Sequence, residues 1–488
     1  MTAKRRPLTA PYKWLGRFAV IYMAFTFVEG MLMLYPPAMF LLPFRSVQVR
    51  RIYRALVNMM QLTLLGFIGF MLEVVCGMRL TITGSSEILE RRLERPLIIS
   101  NHRTRIDWLF LICLSLRLRR LGSIKIALKE DMKHIPFVGW MLQVGLWPFL
   151  ARKDRLKDLA TIRNTLEYLA AIQPNTGSSF TVFPEGTDLS ASNLDKSHKL
   201  QAERNLPIWN QVLLPKAGGV TEALDTLRAF NGVDALVDVT MGYTDFQPFE
   251  RPDEFFLWSG RFPREVHLHL DVINWPDIPQ TSEDTHTFLM ERFARKEEYL
   301  KRFYAPLAFY EQSSEQVSSS DTDDQKSDFS STQMSHLEPL LWFSEDASNE
   351  PCEETLSKDM RFVQYTMNSY VICGLISVII HLMFWTGVWF FPILSGLYAL
   401  SFLVICVVVT LVFGGFQVLE LDTFSVNVEP PDNVEQSINN PGKRRPSPFD
   451  RDDSVWSKMV KLLGMRSASA RRSAYIEALR RRATTSSQ

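Results

Sequence analysis

The sequence predicts a mixed α/β domain, a sheet flanked by helices, with membrane-embedded helices before it and two transmembrane helices after it. Three observations predict this class. Short Val/Ile/Leu runs alternate with longer helical patterns between about residues 84 and 311. Two apolar stretches, Phe18 to Phe44 and Ala55 to Met78, precede that body. From Phe362 to Leu419 the chain carries no Asp, Glu, Lys or Arg, far more than the roughly 20 apolar residues that one span requires.

The amino-terminal part, residues 1–83, reads as a membrane-embedded helical hairpin. Each apolar run carries one acid, Glu29 and Glu73, which a bilayer tolerates only when the carboxyl is paired or neutral. Lys4, Arg5, Arg6, Lys13 and Arg17 flank the first run, and Arg45, Arg50, Arg51 and Arg54 lie in the connection. Two crossing helices would put one of these clusters on the disfavoured side of the positive-inside rule, whereas a hairpin that dips into one leaflet and returns would not. Both topologies stay open at this point. The apolar part is too long for a cleavable signal peptide and ends in no small-residue cleavage pattern.

Within the body, Pro96 to Ser100 is a strand that ends at Asn101-His102, and Trp108 to Leu118 is a helix with Asp107 near its first turn. Phe180 to Phe183 is a second strand, followed by Pro184-Glu185-Gly186-Thr187. Further strands are expected at Gln211 to Leu214, Ala235 to Tyr243 and Val266 to Val272. Residues 312–361 turn to Ser, Asp, Gln and Thr and read as a disordered polar linker. Residues 362–419 are two helices joined by an uncharged turn at Gly387 and Phe391-Pro392, so both ends of this hairpin lie on one side. Residues 420–488 form a basic, mostly disordered tail, in which Val455, Trp456, Met459, Val460 and Leu463 fit either an interfacial helix or a solvated segment.

At 488 residues and a net charge of +1, the chain has room for one catalytic unit plus accessory segments and no basic footprint for nucleic acid. Five scattered cysteines without a C-x-x-C spacing argue against a disulfide framework or a zinc site. With no N-x-[ST] sequon, a cytosol-facing body is the simplest reading.

Chemistry concentrates in Asn101-His102-Arg103-Thr104-Arg105-Ile106-Asp107. A histidine at a strand end and an aspartate five residues on, at a helix start, let the chain fold back so that the carboxylate accepts from one ring nitrogen. The other nitrogen then faces a hydroxyl proton. Alone this spacing is common by chance; a second block, Phe183-Pro184-Glu185-Gly186-Thr187, also after a strand, gives it weight.

These two blocks resemble those of the glycerolipid acyltransferase superfamily, the 1-acylglycerol-3-phosphate acyltransferases, and among them the lysocardiolipin acyltransferase branch. The resemblance runs from about Gly84 to Tyr310 and includes Gly260 to Glu265 and Arg292 to Tyr304. It implies an acyltransferase domain over 84–311 in which His102 is the general base and Asp107 its orienting acid. Glu185, Gly186 and Thr187 would bind the glycerol-phosphate part of the acceptor. Phe149-Leu150-Ala151-Arg152 is similar to the family's second block and Leu214-Pro215-Lys216 to its fourth. Asn101, Arg103, Arg105, Arg152, Pro215 and Lys216 therefore count as candidate substrate-binding positions.

Physical reading agrees in part. Arg152 and Lys216 suit a phosphate through charge-assisted bonds. A Glu185 carboxylate repels phosphate and suits the orientation of a backbone turn or an arginine, with Gly186 allowing close approach. Asp188 stands where many superfamily members have Arg, and Lys216-Ala217 where the branch usually has Arg-Thr. His267, His269 and Asp271 alternate on one strand face and read as a polar outer face rather than a metal site. Lys125, Lys129, Lys133 and His134 suit CoA phosphates, lipid headgroups or a cationic surface beside the membrane.

The implied reaction is direct transfer from acyl-CoA, a co-substrate, to a lysophospholipid hydroxyl. No cofactor is expected, and no Ser or Cys lies in a nucleophile-elbow pattern. Acyl-CoA, the lysophospholipid and the bilayer are the expected partners, and the family implies the endoplasmic reticulum with the catalytic domain facing the cytosol. Two other readings stand beside this one: acylation of glycerol 3-phosphate, and an inactive membrane scaffold on the same fold.

Overall fold

The computed structural model describes residues 10–318 and 360–423, apart from Pro43, Arg45, residues 85–92, Glu94, 174–177, 230–232, 244–251 and Asp253. Of the expected polar linker, residues 312–318 continue a long helix from Ser282, and of the expected tail residues 420–423 end a helix; residues 319–359 and the tail beyond Thr423, with its candidate interfacial helix, lie outside the described residues. Helices α1 (Ala10–Met39) and α2 (Val47–Phe70) come first, and α2 closes in a wider turn over Met71–Val75. The central body follows as β1 (Arg79–Gly84), β2 (Pro96–Ser100), α3 (Asp107–Arg117), β3 (Ile124–Ile126), β4 (Leu128–Lys129), α4 (Val138–Val144) and β5 (Phe149–Leu150). It continues as α5 (Arg155–Ile172), β6 (Ser179–Val182), α6 (Ala191–Glu203), α7 (Gly218–Ala229), β7 (Ala235–Tyr243), α8 (Glu254–Trp258), β8 (Glu265–Asn274) and α9 (Ser282–Ser318). Helices α10 (Met360–Phe390), α11 (Pro392–Val412) and α12 (Phe416–Thr423) end the described chain.

The fold is the expected mixed sheet flanked by helices. Six strands run in the order β1-β8-β7-β2-β6-β3. All neighbours are parallel except the β7–β8 pair, in which Val239 faces Leu270. The Pro96–Ser100 run, apolar up to its last residue, is buried along its whole length because both sheet faces are covered. Leu97 and Ile99 join a core with Phe180, Leu224 and Phe293, under α5, α7 and α9. Ile98 and Val237 join the opposite core with Phe110, Leu64 and Met31, so the amino-terminal helices share one apolar core with the sheet.

Two expected features are corrected. Gln211 to Leu214 is not a strand: its backbone N–H groups are satisfied by side chains instead of a neighbouring strand. Asn210, Gln211 and Val212 donate to the Glu297 carboxylate at 2.8, 2.6 and 3.2 Å, and Leu214 N–H donates to Ser197 Oγ at 3.1 Å. His267 and His269 do not form an outer face. Helix α9 roofs them, with Phe303 edge-on to His267 and Tyr299 edge-on to His269, and Arg292 and Lys296 of the same helix pair with Asp238. Strand β1, which extends the sheet upstream of residue 84, was not foreseen.

Among the described residues four helices are long and apolar enough to cross a membrane: Lys13–Met39, Val47–Val75, Gln364–Phe390 and Pro392–Val412. The first two stay on the central body. A Cβ at Gly16, near the start of α1, would stand 2.3 Å from Gly260 Cα, so this end of the helix lies against the turn before β8. At the other end, Arg51 Nε donates to Ile172 O at 3.2 Å and Arg54 Nη2 to Val144 O at 2.8 Å. The start of α1 and the α1–α2 connection are thus both held on the central body. Helices α10 and α11 differ. Tyr370 OH reaches Glu73 near their start, Phe416 N–H donates to Gln143 Oε1 at 2.9 Å past their end, and between them Trp389 is 83% exposed. Both ends of this apolar hairpin are rooted on the same body.

Two arginines of the α1–α2 region, Arg50 and Arg54, are buried rather than solvated, while Arg51 is exposed. Arg54 and Glu420 pair at 2.7 Å with side chains 0% and 1% exposed, and Tyr168 OH donates to the other Glu420 oxygen at 2.6 Å. This cluster joins α2, α5 and α12.

Candidate active site

The site is built at the C-terminal edge of the parallel strands, where open α/β sheets place their ligand crevice. β2 delivers Asn101 and His102; the chain then turns so that Asp107 opens α3. His102 Nδ1 and Asp107 Oδ2 stand 3.0 Å apart. Arg103 N–H donates to Oδ2 at 2.7 Å, Thr104 N–H to both oxygens at 3.1 Å, and Thr104 Oγ1 to Oδ1 at 2.6 Å. Tyr243 OH also donates to Oδ1. Asp107 is fully buried, while the His102 side chain keeps 16% exposure and stacks on Phe183 with ring centroids 4.3 Å apart. With Nδ1 held by the carboxylate, Nε2 is the nitrogen left to exchange a proton.

The second block clamps this histidine through its backbone. His102 N–H donates to Glu185 Oε1 at 2.8 Å, and Leu189 N–H donates to His102 O at 2.9 Å. The other Glu185 oxygen accepts Leu213 N–H at 3.0 Å, and Lys216 N–H donates to Pro184 O at 2.8 Å. Glu185 is therefore a buried bridge between three loops, with one backbone N–H on each of its carboxyl oxygens. Burial pushes its carboxyl up to about 8, while the two N–H donors from His102 and Leu213 pull against that shift.

A carboxyl raised in this way favours the fold most below its unfolded value near 4.5, and that contribution is lost as the pH rises through about 8. Glu185→Gln is expected to flatten the fall of the melting temperature across that window. It should also lower stability at acid pH by about 1–3 kcal/mol, because the amide NH2 opposes one of the two N–H donors. Melting curves at pH 4.5 and 8.5 read both effects.

The other candidate residues divide. Asn101 is buried and holds the backbone of β7, donating to Met241 O at 3.0 Å and accepting Met241 N–H at 2.8 Å, so its amide clamps two strands together. Gly186 takes φ +73°, a conformation that favours glycine, and a Cβ there would meet Lys216 Nζ at 3.4 Å. The Lys216 ammonium therefore hangs over the Glu185–Gly186 turn, with Pro215 buried behind it. Thr187 Oγ1 accepts from Asn193 Nδ2 at 3.1 Å. Arg152 is exposed in a tight turn after β5, held by Asp158, and Asp188 lies near enough to act on its charge.

Arg103 is 3% exposed and its guanidinium lies 4.2 Å over the Tyr304 ring, while Nη1 and Nη2 have no hydrogen-bond partner among the described residues. Arg105 is exposed. The lysine run is corrected: Lys125 lies fully buried in β3 with Nζ 3.5 Å from Gln61 Oε1, and burial and the nearby Arg54 charge push its ammonium below the usual range. Lys129 pairs with Asp131, and Lys133 with Glu130 at 3.1 Å, so acids balance that surface. Sequence reasoning missed Tyr243, Thr104 and Glu297. Tyr243 does close a strand, but nothing local says that this strand neighbours β2.

Comparison with known proteins agrees with this geometry. The family model described as acyltransferase matches residues 79–223, and the model described as acyltransferase C-terminus matches 257–332. Lysocardiolipin acyltransferase 1 of Gallus gallus is 34% identical over 294 residues, 60% of this chain and 74% of that protein. Its Danio rerio counterpart is 34% identical over 264 residues, 54% of this chain and 66% of that one. A probable 1-acyl-sn-glycerol-3-phosphate acyltransferase 5 of Arabidopsis thaliana is 35% identical over 213 residues, 43% and 54% of the two chains. With the His102–Asp107 pair, the clamping second block and these matches together, the chain belongs to the acyltransferase family that holds the lysocardiolipin and 1-acylglycerol-3-phosphate O-acyltransferases.

Proposed function

We propose that this O-acyltransferase moves a fatty acyl group from acyl-CoA to the free hydroxyl of an anionic lysophospholipid, such as lysophosphatidic acid or lysocardiolipin, in phospholipid synthesis or remodelling. The observation that carries the reading is His102, held through Nδ1 by Asp107 at 3.0 Å with Nε2 left to act as a base. Nε2 takes the hydroxyl proton as the oxygen attacks the thioester carbonyl. The C–S bond then breaks, the ester forms, and the imidazolium returns the proton to the CoA thiolate. No acyl-enzyme forms, so acyl-CoA alone gives no burst.

Cations suited to the acceptor's phosphate stand on the loops of the two blocks and their neighbours. Lys216 over Gly186 is one, Arg152 and Arg105 are exposed, and Arg103 holds two guanidinium nitrogens that are unpartnered among the described residues. Gly186 and Thr187 would form the turn that the glycerol-phosphate part approaches. The apolar α10–α11 hairpin supports a site held at the bilayer surface, where lysolipid and acyl chain both partition, on the cytosolic face of the endoplasmic reticulum.

Transfer of labelled oleoyl-CoA to lysophosphatidic acid, monolysocardiolipin, lysophosphatidylinositol, lysophosphatidylglycerol and glycerol 3-phosphate, compared between wild type and His102→Ala in purified membranes, tests this. The variant is expected to lose about 10²–10⁴-fold of the rate, the range for a general base. Undiminished transfer by the variant would sink the reading, and transfer to glycerol 3-phosphate alone would replace the acceptor.

A further inference from the structure

Tyr243 ends β7, the strand paired with β2, and its phenol reaches the same carboxylate that holds the catalytic histidine. The two Asp107 oxygens are divided: Oδ2 meets His102 Nδ1 at 3.0 Å, and Oδ1 accepts Tyr243 OH and Thr104 Oγ1, the latter at 2.6 Å. Met241 Sδ lies 2.8 Å from the phenol oxygen but is a weak acceptor beside a carboxylate. Tyr243 itself is fixed. It is fully buried, its ring tilts against Phe110 at 5.3 Å, and its N–H donates to Tyr304 OH at 3.0 Å.

We propose that Tyr243 is a positioning residue for the His102–Asp107 pair: its hydroxyl fixes the orientation of Asp107 and withdraws charge from it, and so sets the basicity of His102. The inference rests on the reading of His102 as general base. Removing one donor leaves the carboxylate with more negative charge to share with the imidazole. The imidazolium is then favoured, and a base that must start neutral works only at higher pH. The other groups facing the pair are Glu185 from the turn after β6, Arg103 from the β2–α3 loop, and Tyr304 and Lys296 from α9; Tyr243→Phe alters none of them.

Phenylalanine keeps the ring and its packing, so Tyr243→Phe isolates the hydroxyl. Its pH profile of kcat/KM is expected to show the acid limb moved up by about half to one pH unit, a fraction of the roughly one to two units that a hydrogen bond to a charged group is worth, because the phenol acts on His102 only through Asp107. Tyr299→Phe, in the same α9–sheet layer but remote from the pair, controls for loss of packing and is expected to leave the limb in place. In the Asp107→Asn background, Tyr243→Phe is expected to add no further loss. An unmoved limb in Tyr243→Phe, an equal move in Tyr299→Phe, or full additivity with Asp107→Asn overturns the proposal. Activity that survives His102→Ala overturns the base reading itself, so the two failures are distinguishable.

Discussion

Asp107→Ala is expected to abolish transfer and destabilise the protein at once, the largest combined effect of any single substitution in the site. The catalytic part follows from geometry. Without the carboxylate 3.0 Å from Nδ1, the imidazole of His102 has no fixed tautomer, and the stacked Phe183 ring fixes only its plane. A loss of about 10²–10⁴-fold in kcat is the range expected when a general base no longer functions. The stability part follows from the donors left behind. Arg103 N–H, Thr104 N–H, Thr104 Oγ1 and Tyr243 OH all point into the space the carboxylate fills, and Asp107 is fully buried. Each stranded donor costs about 1–3 kcal/mol where water does not reach it. Asp107→Asn keeps the shape and one acceptor, so it should melt nearer to wild type while staying slow. Thermal melts and single-turnover rates on the two variants separate the effects; equal melting of both would show that the donors are not stranded.

Glu420→Ala is expected to cost about 3–5 kcal/mol although it lies outside the site, because it leaves a fully buried Arg54 guanidinium without its ion. Tyr168 OH and Arg54 Nη2 lose their shared acceptor together, and α12 loses its polar tie to α2 and α5. At about 2–4 °C per kcal/mol, a domain of this size should melt roughly 10 °C lower in detergent. Arg54→Met with Glu420→Met, which replaces both charges by apolar groups, should recover much of that loss. If Glu420→Ala melts within a degree or two of wild type, the cluster does not hold these helices together.

What the sequence made legible was the local part. Asn101 to Asp107 is one turn of chain, so the pairing of His102 with Asp107 could be argued from five residues of separation. Strands Pro96–Ser100 and Ala235–Tyr243 are legible because they are short, mostly apolar runs rich in Val, Ile and Leu. The parts that depend on which strand lies beside which were not. The Tyr243 phenol reaches Asp107 across a separation of 136 residues, and no periodicity records the neighbourhood of β7 and β2. Gln211 to Leu214 reads as a strand from its short Val-Leu-Leu run, which says nothing about a distant Glu297 that takes the N–H groups of Asn210, Gln211 and Val212. Lys125 and the β8 histidines misled for the opposite reason. A charged or polar side chain reads as solvent-facing until its burying partners, Gln61 or the α9 aromatics, are known.

The bridge made by Glu185 has a consequence for how the protein is made. One carboxylate ties His102 across 83 residues and Leu213 across 28, and the Leu213 loop is in turn held by Glu297 across 85 to 87 more. Contacts so distant along the chain form only after large loops have closed, and each closure slows folding. During synthesis the histidine emerges long before the helix that steadies its last support. A nascent chain halted before α9 would therefore carry every residue of the His102–Asp107–Glu185 constellation and still hold it unassembled.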